Sequence, residues 1–250
     1  MSTLDERRQI AFAGVEEAAW EDGFARPRVF LQPIAAPSIL GLAGFAGATF
    51  IVASNLAGWW GTPKSPLALA PFAAMFGGLA QFMAGMWAYK ARDAIATLAH
   101  GTWGSFWLAY LILNILVGTH VVAEPTPWYH NPEVGFWFFA LAITTGIAAF
   151  AAVAESLALV AVLGTLAAGS GITAGAFIYG SLGWAHVGGW VFVFSAGFAW
   201  YTVLAMVTAY ASGRTIFPLF KYTREANKPG ARPTRPIELE WAEPGVRMGQ

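Results

Sequence analysis

From residue 94 to residue 213 the chain runs 120 residues without a Lys or an Arg. The only acids in that stretch are Glu124, Glu133 and Glu155. A fold in water keeps charge on its outer surface, because ionised side chains are almost never buried unpaired. A surface this poor in charge belongs in lipid. The whole chain agrees: only 11% of its 250 residues are charged and 57% are hydrophobic, where a soluble domain carries roughly 25% charged residues. The expectation is one all-α membrane domain with polar ends.

A helix needs roughly 20 apolar residues to span the hydrocarbon. Six runs qualify, at about residues 37–58, 67–89, 94–118, 134–154, 156–179 and 185–212. The fourth and fifth are separated only by Glu155, but residues 134–179 are far too many for one crossing. With six spans and a cytoplasmic N-terminus, thirteen of the fourteen basic residues fall on the inside and only Lys64 on the outside. That bias predicts an even span count with both termini cytoplasmic. The predicted organisation is an interfacial arm over 1–36, a six-helix transmembrane domain over 37–212, and a largely disordered cytoplasmic tail over 213–250. Residues 10–20 of the arm read as a short interfacial helix. Trp59, Trp60, Trp128, Tyr129 and Trp184 read as interfacial aromatics.

Several function classes are excluded at this level. Net charge is zero, so no nucleic-acid footprint is present. There is no Cys, hence no disulfide, thiolate metal site or Cys nucleophile. The four His are scattered and show no His-x-x-x-His spacing for a metal. No paired carboxylates lie within the spans, no GxSxG elbow or phosphate loop occurs, and no Lys within a span offers a Schiff base. Neither a catalytic residue nor a metal or other cofactor is expected.

Among the polar residues of the spans, Asn55, Gln81, His100, Thr102, Ser105, Glu155, Ser195 and Tyr201 are candidates for a role. Such residues face the bundle interior or water. For Thr102, Ser105 and Ser195 the expectation is a hydroxyl bonded to its own helix backbone. Asn55 and Gln81 carry amides too large for that, so an interhelical or pathway role competes. His100 reads either as a proton-relay residue or as a histidine with a satisfied partner. Glu155 reads as a solvated turn carboxylate. Small residues such as Gly41, Gly44, Gly77, Gly78, Gly101 and Gly104 let helices approach closely.

Three segments resemble signatures of the acetate uptake transporter family, the GPR1/FUN34/YaaH proteins. Residues 36–45, APSILGLAGF, are similar to that family's NPAPLGLxGF motif at helix 1. Residues 77–85, GGLAQFMAG, followed by Tyr89 and Lys90, resemble its GGxAQxxAGxxEYK stretch. Residues 100–107, HGTWGSFW, resemble its SYGSFW segment, and residues 213–218, GRTIFP, its ending after helix 6. The order is preserved across residues 36–218. The departures are Ala36 for the leading Asn, Ile39 for the second Pro, Ala88 and Met206 where Glu is typical, and Trp103 for Tyr.

The resemblance implies six helices per protomer, a homo-hexameric ring in the plasma (inner) membrane, and a separate pore in each protomer. It implies small monocarboxylate substrates such as acetate, and succinate in some members, moved by a channel or a proton-coupled carrier. Position by position, the family's aromatic–aliphatic constriction falls on Phe45, Trp103 and Leu166. Asn55, Gln81, His100, Ser105 and Tyr201 are the expected pathway residues beside it, with the Trp103 indole N–H as a further donor. Two other readings stay open at this stage: a channel for ammonium or another small neutral solute, and a membrane scaffold or sensor that does not transport.

Overall fold

The computed structural model describes residues 34–222. The interfacial arm helix, and the tail beyond residue 222, lie outside the described residues. Six helices are long and apolar enough to cross a membrane: α1 Pro37–Leu56, α2 Ser65–Ala91, α3 Ala94–Gly118, α4 Pro132–Ala152, α5 Leu157–Tyr179 and α6 Leu182–Ser212. The six expected spans all appear, with ends moved by a few residues.

Local chemistry accounts for most of the ends. Pro37 and Pro132 occupy the first turns of α1 and α4, where a missing N–H is no loss. Asp93 accepts from Ala96 N at 2.8 Å, Asn131 from Val134 N at 3.2 Å and Ser156 from Leu159 N at 3.3 Å. These three side chains cap α3, α4 and α5 by satisfying donors that have no partner within the helix. Gly180 and Gly213 take left-handed conformations that stop α5 and α6, the usual use of glycine just past a helix.

The second span is not a plain α-helix. It runs as an α segment Ser65–Ala73, a π segment Ala74–Ala80 and an α segment Gln81–Ala91. Pro71 lies three residues before the π segment and lacks the N–H that an unbroken helix would use. Gly44 of α1 lies against the Phe76 carbonyl in this wide turn, so closely that a Cβ would collide with it. Gly77 packs under Trp107 and Gly78 under Leu108.

The helices form a ring in chain order. α1 packs on α2, α2 on α3, α4 on α5, α5 on α6, and α6 returns to α1. The sparsest neighbouring contact is between α3 and α4. Buried side chains of all six helices meet in one core, including Phe45, Ala73, Trp103, Phe138, Leu166 and Phe192. Ser195 departs from the expected local bond: its hydroxyl donates across to Val162 O of α5 at 2.9 Å. The hydroxyl is aimed across the helix interface rather than back along α6.

Candidate functional site

The termini of the described chain, the α2–α3 turn and the α4–α5 turn share one end of the ring. A cavity of about 290 Å³ opens there. Its mouth carries Asp93, Glu155 and Lys221, and its walls come from α1, α2, α3, α5 and α6. Phe45 is eight residues past Pro37, Trp103 nine past Ala94 and Leu166 nine past Leu157. At 1.5 Å per residue all three lie about 12–14 Å from the mouth, near the middle of a hydrocarbon layer about 30 Å thick. Phe45 and Leu166 are 2% exposed and Trp103 3%, and all three line the cavity. They form its apolar floor. Phe45 and Trp103 meet edge to face at 6.3 Å.

Two buried polar side chains, Gln81 and His100, line the same cavity. Gln81 is the first residue after the π segment. Its Nε2 is 3.5 Å from His100 Nδ1, at the outer limit for a hydrogen bond. Gln81 Oε1 is buried without a partner. Such an orphan inside a cavity is a ready contact for a ligand or water. A half-turn of the amide exchanges acceptor for donor at the same place, so the pair can meet either form of a carboxyl group. The His100 ring lies against Gly41, where a Cβ would fall 2.5 Å from Cε1 and Nε2. Only glycine leaves this space free.

The mouth is shaped by the segment after α6. Leu219 O and Phe220 O accept from Ala158 N at 3.3 Å and Leu157 N at 3.2 Å. The segment thus covers the N-terminal amides of α5 that its own helix leaves unbonded. Glu155 projects into this rim as an exposed turn residue. Partial enclosure raises its pKa above the ordinary carboxylate value, the negative charge of Asp93 adds to that, and Lys221 opposes it.

Phe45, Gln81, His100, Trp103 and Leu166 therefore share one cavity. Asn55, Ser105 and Tyr201 are not among its lining residues. Asn55 stands at the far end of α1, where its Nδ2 donates to Trp60 O at 2.8 Å. Ser105 is exposed and its hydroxyl donates to Gly101 O at 2.8 Å, the local bond expected of a serine within a helix. Tyr201 OH donates to Pro218 O at 2.7 Å and its ring stacks on Phe220, so it anchors the segment that crosses the mouth. The Trp103 indole N–H is not free for a ligand either: it donates to Thr145 Oγ1 at 2.9 Å. Thr145 is 42 positions away in sequence, and no motif marked it. Asp93 and Lys221 at the mouth were also unmarked, because their role depends on how turns and tail fold over the end of the ring.

Beyond the floor the ring is filled by aromatic side chains. Trp103 meets Phe106 at 5.2 Å, Phe106 meets Phe138 at 5.4 Å, and Phe138 meets Phe192 at 5.9 Å and Phe177 at 6.0 Å. Edge and tilted arrangements of this kind are the favoured ones for aromatic pairs.

Comparison with known proteins matches residues 24–221 to the model of the GPR1/FUN34/yaaH family. The chain is 26% identical over 189 residues to the succinate-acetate/proton symporter SatP of Escherichia coli (strain K12), covering 74% of this chain and 95% of that protein. It is 29% identical over 192 residues to the meiotically up-regulated gene 86 protein of Schizosaccharomyces pombe, covering 73% of this chain and 63% of that one. Among solved structures, that of the bacterial acetate channel SatP superposes with a TM-score of 0.67 at 24% identity, covering 75% of this chain and 99% of that chain. At that identity the superposition speaks for the six-helix fold.

Proposed function

The chain belongs to the GPR1/FUN34/yaaH family, and from that premise we propose that it carries acetate-like monocarboxylates across the membrane, with the cavity as vestibule and Phe45, Trp103 and Leu166 as its neck. The observation that carries this reading is the buried Gln81–His100 pair in the same cavity as the apolar Phe45, Trp103 and Leu166, with one amide atom unpartnered. A carboxyl group has one polar end and one apolar end. Gln81 and His100 suit the first, and the rings and the leucine beside them suit the methyl group. Stripping a carboxylate of water at membrane depth is costly. Polar partners beside a short apolar neck reduce that cost where it is greatest.

The basic residues orient the protein with the cavity mouth toward the cytoplasm. The SatP symporter's succinate and acetate are the substrates to try first. A homo-hexamer in the plasma membrane, with one path per protomer, completes the reading. The test is uptake of labelled acetate into proteoliposomes, with C2–C4 carboxylates and ammonium as competitors across a pH series. Saturable uptake that carboxylates inhibit and ammonium does not is expected. Absence of protein-dependent flux for every C2–C4 carboxylate overturns the reading.

A further inference from the structure

One buried hydrogen bond crosses the sparse seam between α3 and α4, and it lies beside the neck. Trp103 Nε1 donates to Thr145 Oγ1 at 2.9 Å, and both residues are 3% exposed. Phe45, Phe106 and Phe192 surround the indole edge to face at 6.3, 5.2 and 6.5 Å. Those contacts settle where the ring lies but offer its N–H no acceptor. Thr145 supplies one. The contrast with Trp107, one turn along the same helix, is direct: its buried Nε1 has no partner.

An indole N–H facing a carboxylate makes a charge-assisted bond, stronger than one between neutral groups. Placed at the narrowest point, it would hold the substrate where it must move fastest. Conduction needs sites weak enough to leave. We infer that Thr145 is a positioning residue: by occupying the Trp103 N–H it keeps the neck a donor-free surface, so the carboxyl group is recognised at Gln81 and His100 and released through the neck. This rests on the transport reading proposed above.

Thr145→Val keeps the shape and removes the acceptor. The freed N–H then seeks its partner in the passing carboxylate. In the acetate uptake assay the apparent KM of Thr145→Val should fall about threefold to tenfold, with the maximal rate falling by a similar factor. Thr145→Ser keeps the acceptor and should restore both values. In a Trp103→Phe background there is no N–H to expose, so adding Thr145→Val should leave KM equal to that of Trp103→Phe alone. A merely structural role would reduce the amount of active protein, lowering the maximal rate at constant KM. An unchanged or raised KM in Thr145→Val overturns the inference. If that variant does not fold, Thr145→Ala carries the same expectation and the same refutation. Failure of the parent itself to move any carboxylate refutes the transport reading, and with it this one, before any variant is compared.

Discussion

The two ends of the ring are built from similar residues toward opposite ends. On the cavity side, α1 meets α3 at Gly41, and what fills the missing side chain's place is the His100 ring. On the far side, α6 meets α1 at Gly189, and what fills the place is the backbone of Leu56 and Ala57. The first glycine makes room for a polar side chain bordering a cavity. The second lets two backbones touch beside a column of aromatics. On the transport reading proposed above, close packing yields where the solute passes and is rigid where the ring stays shut around it.

This contrast breaks first at Gly189. A Cβ there meets backbone that cannot move without parting α6 from α1. Gly189→Ala should cost roughly 3 kcal/mol, read as a large drop in melting temperature and as loss of the monodisperse species in detergent. A melting curve like the parent's would show that the far half is softer than its packing implies. Next comes Gln81→Leu, which replaces the unpartnered amide by a side chain of similar size. It should lower acetate flux about tenfold while folding normally, since one buried hydrogen-bonding partner for a charged group is worth about 1.5 kcal/mol or more. Flux equal to the parent's would remove Gln81 from the path.

Gly41→Ala is the mirror of the Gly189 change. The His100 ring has the cavity to retreat into, so the stability cost should stay near 1 kcal/mol. The displaced ring should nevertheless reduce flux by about twofold to threefold. A collapse in stability as great as that of Gly189→Ala would erase the distinction between the two ends. The smallest effect belongs to Glu155. Its raised pKa means that the folded chain holds this proton more tightly than the unfolded chain does. At this group the fold therefore gains stability as pH falls through the raised value, and loses that gain at higher pH. Glu155→Gln should flatten this part of the profile, changing the melting-temperature difference between pH 5 and pH 7 by about one degree or less, as befits an exposed group. A larger change would mean that the mouth is more enclosed than its exposure suggests.

The spans were readable because lipid imposes one composition on everything it touches, and their order and number follow from length and basic charge. The α2 irregularity was half readable: Pro71 announces a disturbed turn, but whether a helix answers with a kink or with a wider turn depends on what packs against it, here Gly44. Side-chain partners were less legible. Ser105 lies four positions after Gly101, and its bond is local. Ser195, Trp103 and Tyr201 find partners 33, 42 and 17 positions away, and those pairings exist only once the helices have chosen neighbours. Asn55 lies next to the end of α1, a position better suited to closing a helix than to lining a path.

The wide turn at Ala74–Ala80 has a consequence for how this chain can vary in length. A helix advances about 100° per residue, so the surplus held in a π turn sets the angular bearing of everything after it. Removing one residue there and letting the turn tighten would leave Gln81 on nearly the same bearing, whereas inserting one more residue would swing it by about 100°, away from His100. On the transport reading proposed above, spacing between Pro71 and Gln81 is itself a functional coordinate, and a one-residue insertion in this stretch should be as damaging as a substitution of the amide, while a deletion that closes the π turn should be tolerated better.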